Sequence, residues 1–174
     1  MSMYYLRDVE EDDHEWLVEL HNDPLVLRNL TDPSPITMES HMNWWKSLNK
    51  KKNPRKIFCE QISDPLGKSI GFCKFYNVDT ENRNCVLGAD IHESHRGKGL
   101  AKTMWKTMLN YCFSDLGLHR VGLTTAEYNT IARRVYSDIG FSVEGISVES
   151  LYRDDKYYNQ YCMFLMKKTW EKTI

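Results

Sequence analysis

Apolar residues recur along the chain with two different periods, and the changes of period divide it into elements. Tyr4-Tyr5-Leu6-Arg7-Asp8-Val9 has the aromatic and apolar content of a strand. From about Asp13 the period lengthens: Trp16, Leu17 and Leu20 share one helical face behind a run of acids, which the helix dipole favours at that end. Asn22-Asp23-Pro24 predicts the end of this helix, and Thr31-Asp32-Pro33-Ser34-Pro35 a loop stiffened by proline. Thr37 then caps a second helix to about Leu48, with His41, Trp44, Trp45 and Leu48 at three- and four-residue spacing.

Period two returns at Lys56 to Ile62 and Lys68 to Val78, joined by a turn around Asp64-Pro65-Leu66-Gly67. After a polar turn from Asp79 to Asn84, Cys85 to His92 is almost wholly apolar and reads as a central strand. Leu100, Ala101, Met104, Trp105, Met108, Leu109, Cys112, Phe113 and Leu116 make the strongest helical stripe, ended by Gly117. His119 to Ala126 is a strand, Asn129 to about Ile139 a helix closed by Gly140. Phe141 to Leu151 and Tyr157 to Lys167 are two last strands. The predicted order is βααβββαβαββ, an α/β (α+β) mixed sheet of about seven strands flanked by four helices.

With 174 residues and no internal repeat or linker, residues 1–174 are expected to form one domain. A net charge of −1 argues against nucleic acid as the partner, because that affinity rests on clustered Lys and Arg. No run of 18 apolar residues is present, so no helix is expected to cross a membrane. Met1-Ser2-Met3-Tyr4-Tyr5 lacks the layout of a signal peptide. Cys59, Cys73, Cys85, Cys112 and Cys162 are scattered, odd in number and never in CxxC spacing, which fits a reducing, cytoplasmic setting and no metal site.

Candidate chemistry concentrates at Arg96-Gly97-Lys98-Gly99, between a strand and a helix. Glycines let backbone N–H groups point one way, the helix start adds partial positive charge, and Arg96 and Lys98 are cationic, so the segment reads as a phosphate cradle. It is neither a P-loop nor a dinucleotide fingerprint: no GxxxxGK[ST] occurs, and Lys102 stands where the third glycine would be.

Arg96-Gly97-Lys98-Gly99-Leu100-Ala101 resembles R-x-x-G-x-[GA], the acetyl-CoA pyrophosphate turn of the GCN5-related N-acetyltransferases (GNAT). Asn129-Thr130-Ile131-Ala132-Arg133-Arg134-Val135-Tyr136, with Gly140-Phe141 after it, is similar to a second segment of that superfamily. The resemblance implies the GNAT fold, an acetyl-CoA-binding core at about 85–145, and acetyl-CoA as co-substrate. Asn22-Asp23-Pro24 and the His41-Met42-Asn43-Trp44-Trp45 helix look like the RimJ/RimL branch, in particular acetyltransferases of nucleotide-linked 4-amino-4,6-dideoxy sugars. Asp79-Thr80-Glu81-Asn82-Arg83 and Tyr152-Arg153-Asp154-Asp155-Lys156-Tyr157 are similar to that group as well.

Direct acetyl transfer needs an amine that loses a proton, a held oxyanion and a protonated leaving thiolate. The resemblance makes Tyr136 the general acid, and a phenol with an ordinary pKa of about 10 is protonated at neutral pH. It places Asn129, Arg133 and Tyr136 on the cofactor with Arg96, Gly97, Lys98, Gly99, Leu100 and Ala101, and pairs the pantetheine arm with the backbone near Ile91 and His92. The base is open between Asp90 and His92, which share a strand face. The glutamate many relatives carry earlier in this strand is replaced by Val86.

In this fold the first helices and the last hairpin are expected to wall the acceptor site, with His41, Trp44, Trp45 and Tyr152 as candidates and His41 turned to the cleft. Lys50, Lys51, Lys52 and Arg55 read either as a solvated face or as a contact for a nucleotide diphosphate. Three functions compete: acetylation of a nucleotide-linked amino sugar, acetylation of a polyamine or protein amino terminus, and a non-catalytic acyl-CoA-binding module. An exposed final strand is a candidate for pairing in a homodimer.

Overall fold

The computed structural model describes residues 3–62 and 65–172. The strands are β1 (Tyr4–Asp8), β2 (Arg55–Glu60), β3 (Lys68–Asp79), β4 (Asn84–Ile91), β5 (Arg120–Ala126), β6 (Ser142–Arg153) and β7 (Lys156–Met166). The helices are α1 (His14–Asn22), α2 (Pro24–Asn29), α3 (Met38–Ser47), α4 (Leu100–Asn110), α5 (Thr130–Ile139) and α6 (Lys167–Trp170). All seven strands join one mixed sheet in the order β1-β2-β3-β4-β5-β7-β6, the GNAT fold that the sequence implied.

Two short helices were not expected. Asn22-Asp23-Pro24 does end α1, but it also starts α2. The Asp23 carboxylate accepts from the N–H groups of Leu25 (2.9 Å) and Val26 (3.1 Å), and Pro24 takes the first helical position, where it has no hydrogen bond to lose. The second, α6, buries Trp170 at the chain's end. The long stripe ends as a π-helical turn, Tyr111–Asp115, that keeps Cys112 and Phe113 buried. Asp64, part of the expected turn before β3, lies outside the described residues, as do Met1 and Ser2. The final strand is not an edge: β7 lies between β5 and β6, and β6 is the exposed one.

Every strand pair is antiparallel except β4–β5, which the α4 crossover makes parallel. That pair is short. It joins Asn84↔Arg120, Cys85↔Val121 and Val86↔Gly122, while β4 runs on to Ile91 and β5 to Ala126. Beyond Val86 the two strands part and leave a wedge in the middle of the sheet.

The sheet buries unequal cores. Met104, Trp105, Met108 and Leu109 of α4, with Ile139 and Phe141, pack on Phe75, Leu87, Val121 and Leu165. A smaller cluster joins Leu17, Leu20 and Val26 to Ile57, Cys59 and Phe72. Cys59, Cys73, Cys85 and Cys112 are buried free thiols; burial pushes Cys59 and Cys73 up in pKa, and the hydrogen bond with Cys85, then burial, pushes Cys112 up, which suits a role as small apolar fillers.

Candidate functional site

The wedge leads to the glycine turn. Gly97 (φ +73°) and Gly99 (φ +75°) both occupy the left-handed region that glycine enters without steric penalty. A Cβ built on either meets nothing within 4 Å, so the space before the turn is open to a ligand. Gly99 precedes α4 and offers no side-chain cap, leaving the helix's first N–H groups as unpaired donors. Their geometry suits a phosphate.

Arg96 and Lys98 are placed differently from the sequence reading, which made them phosphate donors. The Arg96 guanidinium grips Asp23 through Nη1 (3.2 Å) and Nη2 (3.0 Å), and its Nε donates to the Ile91 carbonyl (2.9 Å). Burial works to raise the Asp23 carboxyl, but Arg96 and the α2 backbone outweigh it and hold the group below its usual range. Lys98 Nζ donates to the Ser94 carbonyl at 2.7 Å. Arg96 thus ties the turn to the α1–α2 junction, and the donors left unpaired at the start of α4 are backbone N–H groups. Leu100 and Ala101, both half-buried, begin α4.

Tyr136 stands on the inner face of α5, edge-on to Trp105 at 4.8 Å. Burial pushes its hydroxyl pKa up, and the negative charge of Asp90 pushes the same way, so the phenol stays protonated. Asn129 Oδ1 accepts from the Ala132 N–H (3.3 Å) and caps α5. Arg133 bonds the Glu127 carbonyl (3.2 Å) and lies over the Tyr161 ring at 3.8 Å.

On the other side of the sheet, a cavity of about 340 Å³ opens between α1, α3 and strands β2 to β4. Its walls include Leu17, Leu20, Phe72, Trp44 and Tyr76, and its charged members are Arg55, Lys74 and Asp90. Lys74 Nζ meets Asp90 Oδ2 at 2.5 Å. Burial works to lower the Lys74 ammonium, but the Asp90 charge outweighs it and raises the pKa.

Asp90 therefore lies in the cavity but is already paired with a lysine. His92 is absent from the cavity wall. It bonds Ser94 Oγ through Nδ1 (2.8 Å), stacks on Trp16 (5.7 Å) and has Glu19 at 3.5 Å. Its N–H is taken by the Ile70 carbonyl (3.0 Å), as the Ile91 carbonyl is by Arg96. Upstream, the stretch from Leu87 to Asp90 pairs with β3 but has no strand partner on its β5 side.

Of the acceptor candidates, His41 and Trp44 line the cavity. His41 reaches the cavity wall while only 3% exposed, and its Nε2 meets His14 Nδ1 at 2.9 Å. Burial, reinforced by His14 and His21, lowers its pKa. Trp45 packs edge-on against His14 at 5.1 Å, outside the cavity wall. Tyr152 is 51% exposed at the hairpin tip and donates to Asp155 (3.1 Å), so it does not wall the site.

Sequence reasoning missed Lys74 and Tyr76, and it left Arg55, with Lys50, Lys51 and Lys52, open between a solvated face and a diphosphate contact, whereas the structure buries it in the cavity wall. The signal was there in part: Arg55 shares strand parity with Ile57 and Cys59, and a lone lysine interrupts the apolar β3.

The family model described as an acetyltransferase (GNAT) domain matches residues 4–142. Over 167 residues the chain is 28% identical to the spermidine N(1)-acetyltransferase of Vibrio cholerae, covering 95% of this chain and 94% of that protein. YdaF of Bacillus subtilis, provisionally named a ribosomal N-acetyltransferase, is 30% identical over 105 residues, 60% of this chain and 57% of that protein. The crystal structure of the V. cholerae spermidine N-acetyltransferase in complex with CoA and spermine superposes with a TM-score of 0.87 at 23% identity. It covers 97% of this chain and 98% of that one.

Proposed function

The chain belongs to the GNAT acetyltransferases and is an acetyl-CoA-dependent N-acetyltransferase, and we propose that its acceptor is a primary amine on a small molecule held in the cavity beside Asp90. The observation that carries this is the wedge between β4 and β5, with an open glycine turn on one side of the sheet and the cavity on the other. The glycine turn and the start of α4 hold the diphosphate of acetyl-CoA, and the parted β4 backbone orients the pantetheine arm. A free N–H there holds the thioester oxygen as charge develops. Tyr136 gives its proton to the departing sulfur, and Asn129 and Arg133 steady the start of α5 beside it. Asp90 rather than His92 serves the amine, because Asp90 lines the cavity; its pairing with Lys74 assigns it to orienting the amine or relaying its proton through water.

Both the relatives and the volume bear on the acceptor. The V. cholerae relative is named for spermidine, which supports an acceptor of polyamine size over a nucleotide-linked amino sugar. A cavity of about 340 Å³ is at the small end of ligand sites, which run from about 300 to 1,000 Å³. Edge strand β6, with Val143, Ile146 and Val148 outward, supports pairing with a second copy.

CoA release from acetyl-CoA, measured with small diamines, amino acids, short peptides and amino-sugar nucleotides, tests the reading. Release with small amines is the expected result. Release with none of them overturns the catalytic role, and release confined to peptides overturns the small-molecule acceptor.

A further inference from the structure

Arg55 is buried, 6% exposed, yet its charge has no counter-ion. Nη1 donates to three backbone carbonyls, those of Asn53 (3.1 Å), Pro54 (2.9 Å) and Phe75 (2.7 Å). Nε is buried without any partner, and no carboxylate pairs with the guanidinium among the described residues. The group is held over the Tyr76 ring at 4.4 Å, with Trp44 at 5.8 Å, and it lines the cavity. In a planar guanidinium, Nε and Nη2 share one edge, the edge that meets a carboxylate or phosphate through two parallel hydrogen bonds. The protein spends Nη1 on its own backbone and leaves that edge free.

The neighbouring charges point the same way. Lys74 stands directly opposite Arg55 across β2 and β3, an arrangement that is unfavourable for like charges. Asp90 neutralises Lys74, so two cations and one carboxylate leave one positive charge uncompensated in the lining. The aromatic faces of Tyr76 and Trp44, which would attract an ammonium, are already occupied by Arg55. A buried cation without a partner is expensive to keep and is the natural complement of an incoming anion.

We propose that Arg55 makes this cavity a site for an amine that also carries an oxyanion, a carboxylate or a phosphate, rather than for a polycation. This deepens the acetyltransferase reading and rests on it. The acceptor has the size of a small polyamine but the opposite charge at its far end: the amine lies toward Asp90 on β4, the acid toward Arg55 on β2.

Putrescine and 5-aminovalerate separate the two charge types, since each carries an amine on four methylenes and they differ only in a terminal ammonium or carboxylate. 3-Aminopropylphosphonate supplies the phosphate-like arm, and spermidine the longer polycation. We expect kcat/KM for 5-aminovalerate or the phosphonate to exceed that for putrescine and spermidine by about tenfold or more. In Arg55→Gln the KM for the acidic amine rises about tenfold or more, the KM for acetyl-CoA stays put, and Arg55→Lys recovers part of the loss. Preference for the polycations, or an equal loss for every amine in Arg55→Gln, overturns the assignment and leaves the acetyltransferase reading standing. Calorimetry without acetyl-CoA distinguishes the two failures. If no amine releases CoA but 5-aminovalerate or the phosphonate binds the native chain and not Arg55→Gln, the catalytic reading falls and the anion site holds. If neither gives heat, the anion site falls.

Discussion

The two faces of the sheet are built on different principles. On the α4 and α5 side, long apolar stripes pack over the strands, and the wedge opens where β4 and β5 part. Its recognition elements are local: a turn, a helix start, a capped helix that sets Tyr136 beside Trp105. On the α1 to α3 side a small cluster leaves a cavity whose charged groups, Arg55, Lys74 and Asp90, come from three neighbouring strands. That side is fastened by ion pairs instead of by a continuous core. Arg7 holds Asp13 at 2.5 Å in front of α1, Arg96 holds Asp23 between α1 and α2, and Arg28 meets Asp154 of the hairpin at 2.6 Å. In the proposed reading the cofactor side relies on backbone geometry, whereas the acceptor side relies on side chains around a smaller core cluster.

Three changes probe this contrast. Tyr136→Phe strikes the chemistry on the tight face without opening it, since the ring contact with Trp105 remains. We expect kcat to fall by about 100-fold, the typical worth of a general acid, with acetyl-CoA affinity unchanged by calorimetry. A loss of affinity instead would make Tyr136 a packing residue.

Asp13→Ala strikes the scaffold of the other face and takes the carboxylate partner from the half-buried Arg7. Denaturant unfolding should show a loss of about 3 kcal/mol. The same pair sets an acid limit. Burial works to raise the Asp13 carboxyl, but hydrogen bonds from Arg7 and the Glu10 N–H outweigh it, so the folded group titrates below its usual range. The unfolded chain takes up the proton first, so this stability is whole above about pH 4 and is lost as pH falls further. His41, which the fold keeps neutral, adds a loss of the same sign below about pH 6.5. In Asp13→Ala the low-pH part of the decline should flatten; an unchanged profile would place the acid limit elsewhere.

Gly99→Val makes the smallest change. It adds a β-branched side chain at φ +75°, where nothing crowds the Cβ and only the backbone is strained, at about 1–2 kcal/mol. The KM for acetyl-CoA should rise about tenfold while acceptor binding holds. An unaltered KM would remove the turn from the cofactor site.

The tight face was the more legible one in the sequence. The α4 stripe, the two glycines, the helix starting at Asn129 and the seven strands all follow from residues close together in the chain, and the structure places each where that reading put it. The misreadings fall where local signals have two meanings. Asp23-Pro24 ends one helix and begins another. Arg96 beside two glycines reads as a phosphate ligand until Asp23, 73 residues away, takes its guanidinium. Tyr152 reads as a pocket aromatic, but the hairpin carries it to an exposed tip.

Alternation, capping and glycine placement settled the element order, the mixed sheet and the family motif, because those depend on interactions a few residues long. Which charges face one another was settled only by tertiary structure. Arg55 follows a run of lysines in sequence and becomes a buried, unpaired cation through the β2–β3 register and the packing of Trp44 and Tyr76 around it. Strand parity hints at the burial of Arg55, but which charges become its neighbours is a property of three-dimensional packing that no local pattern encodes.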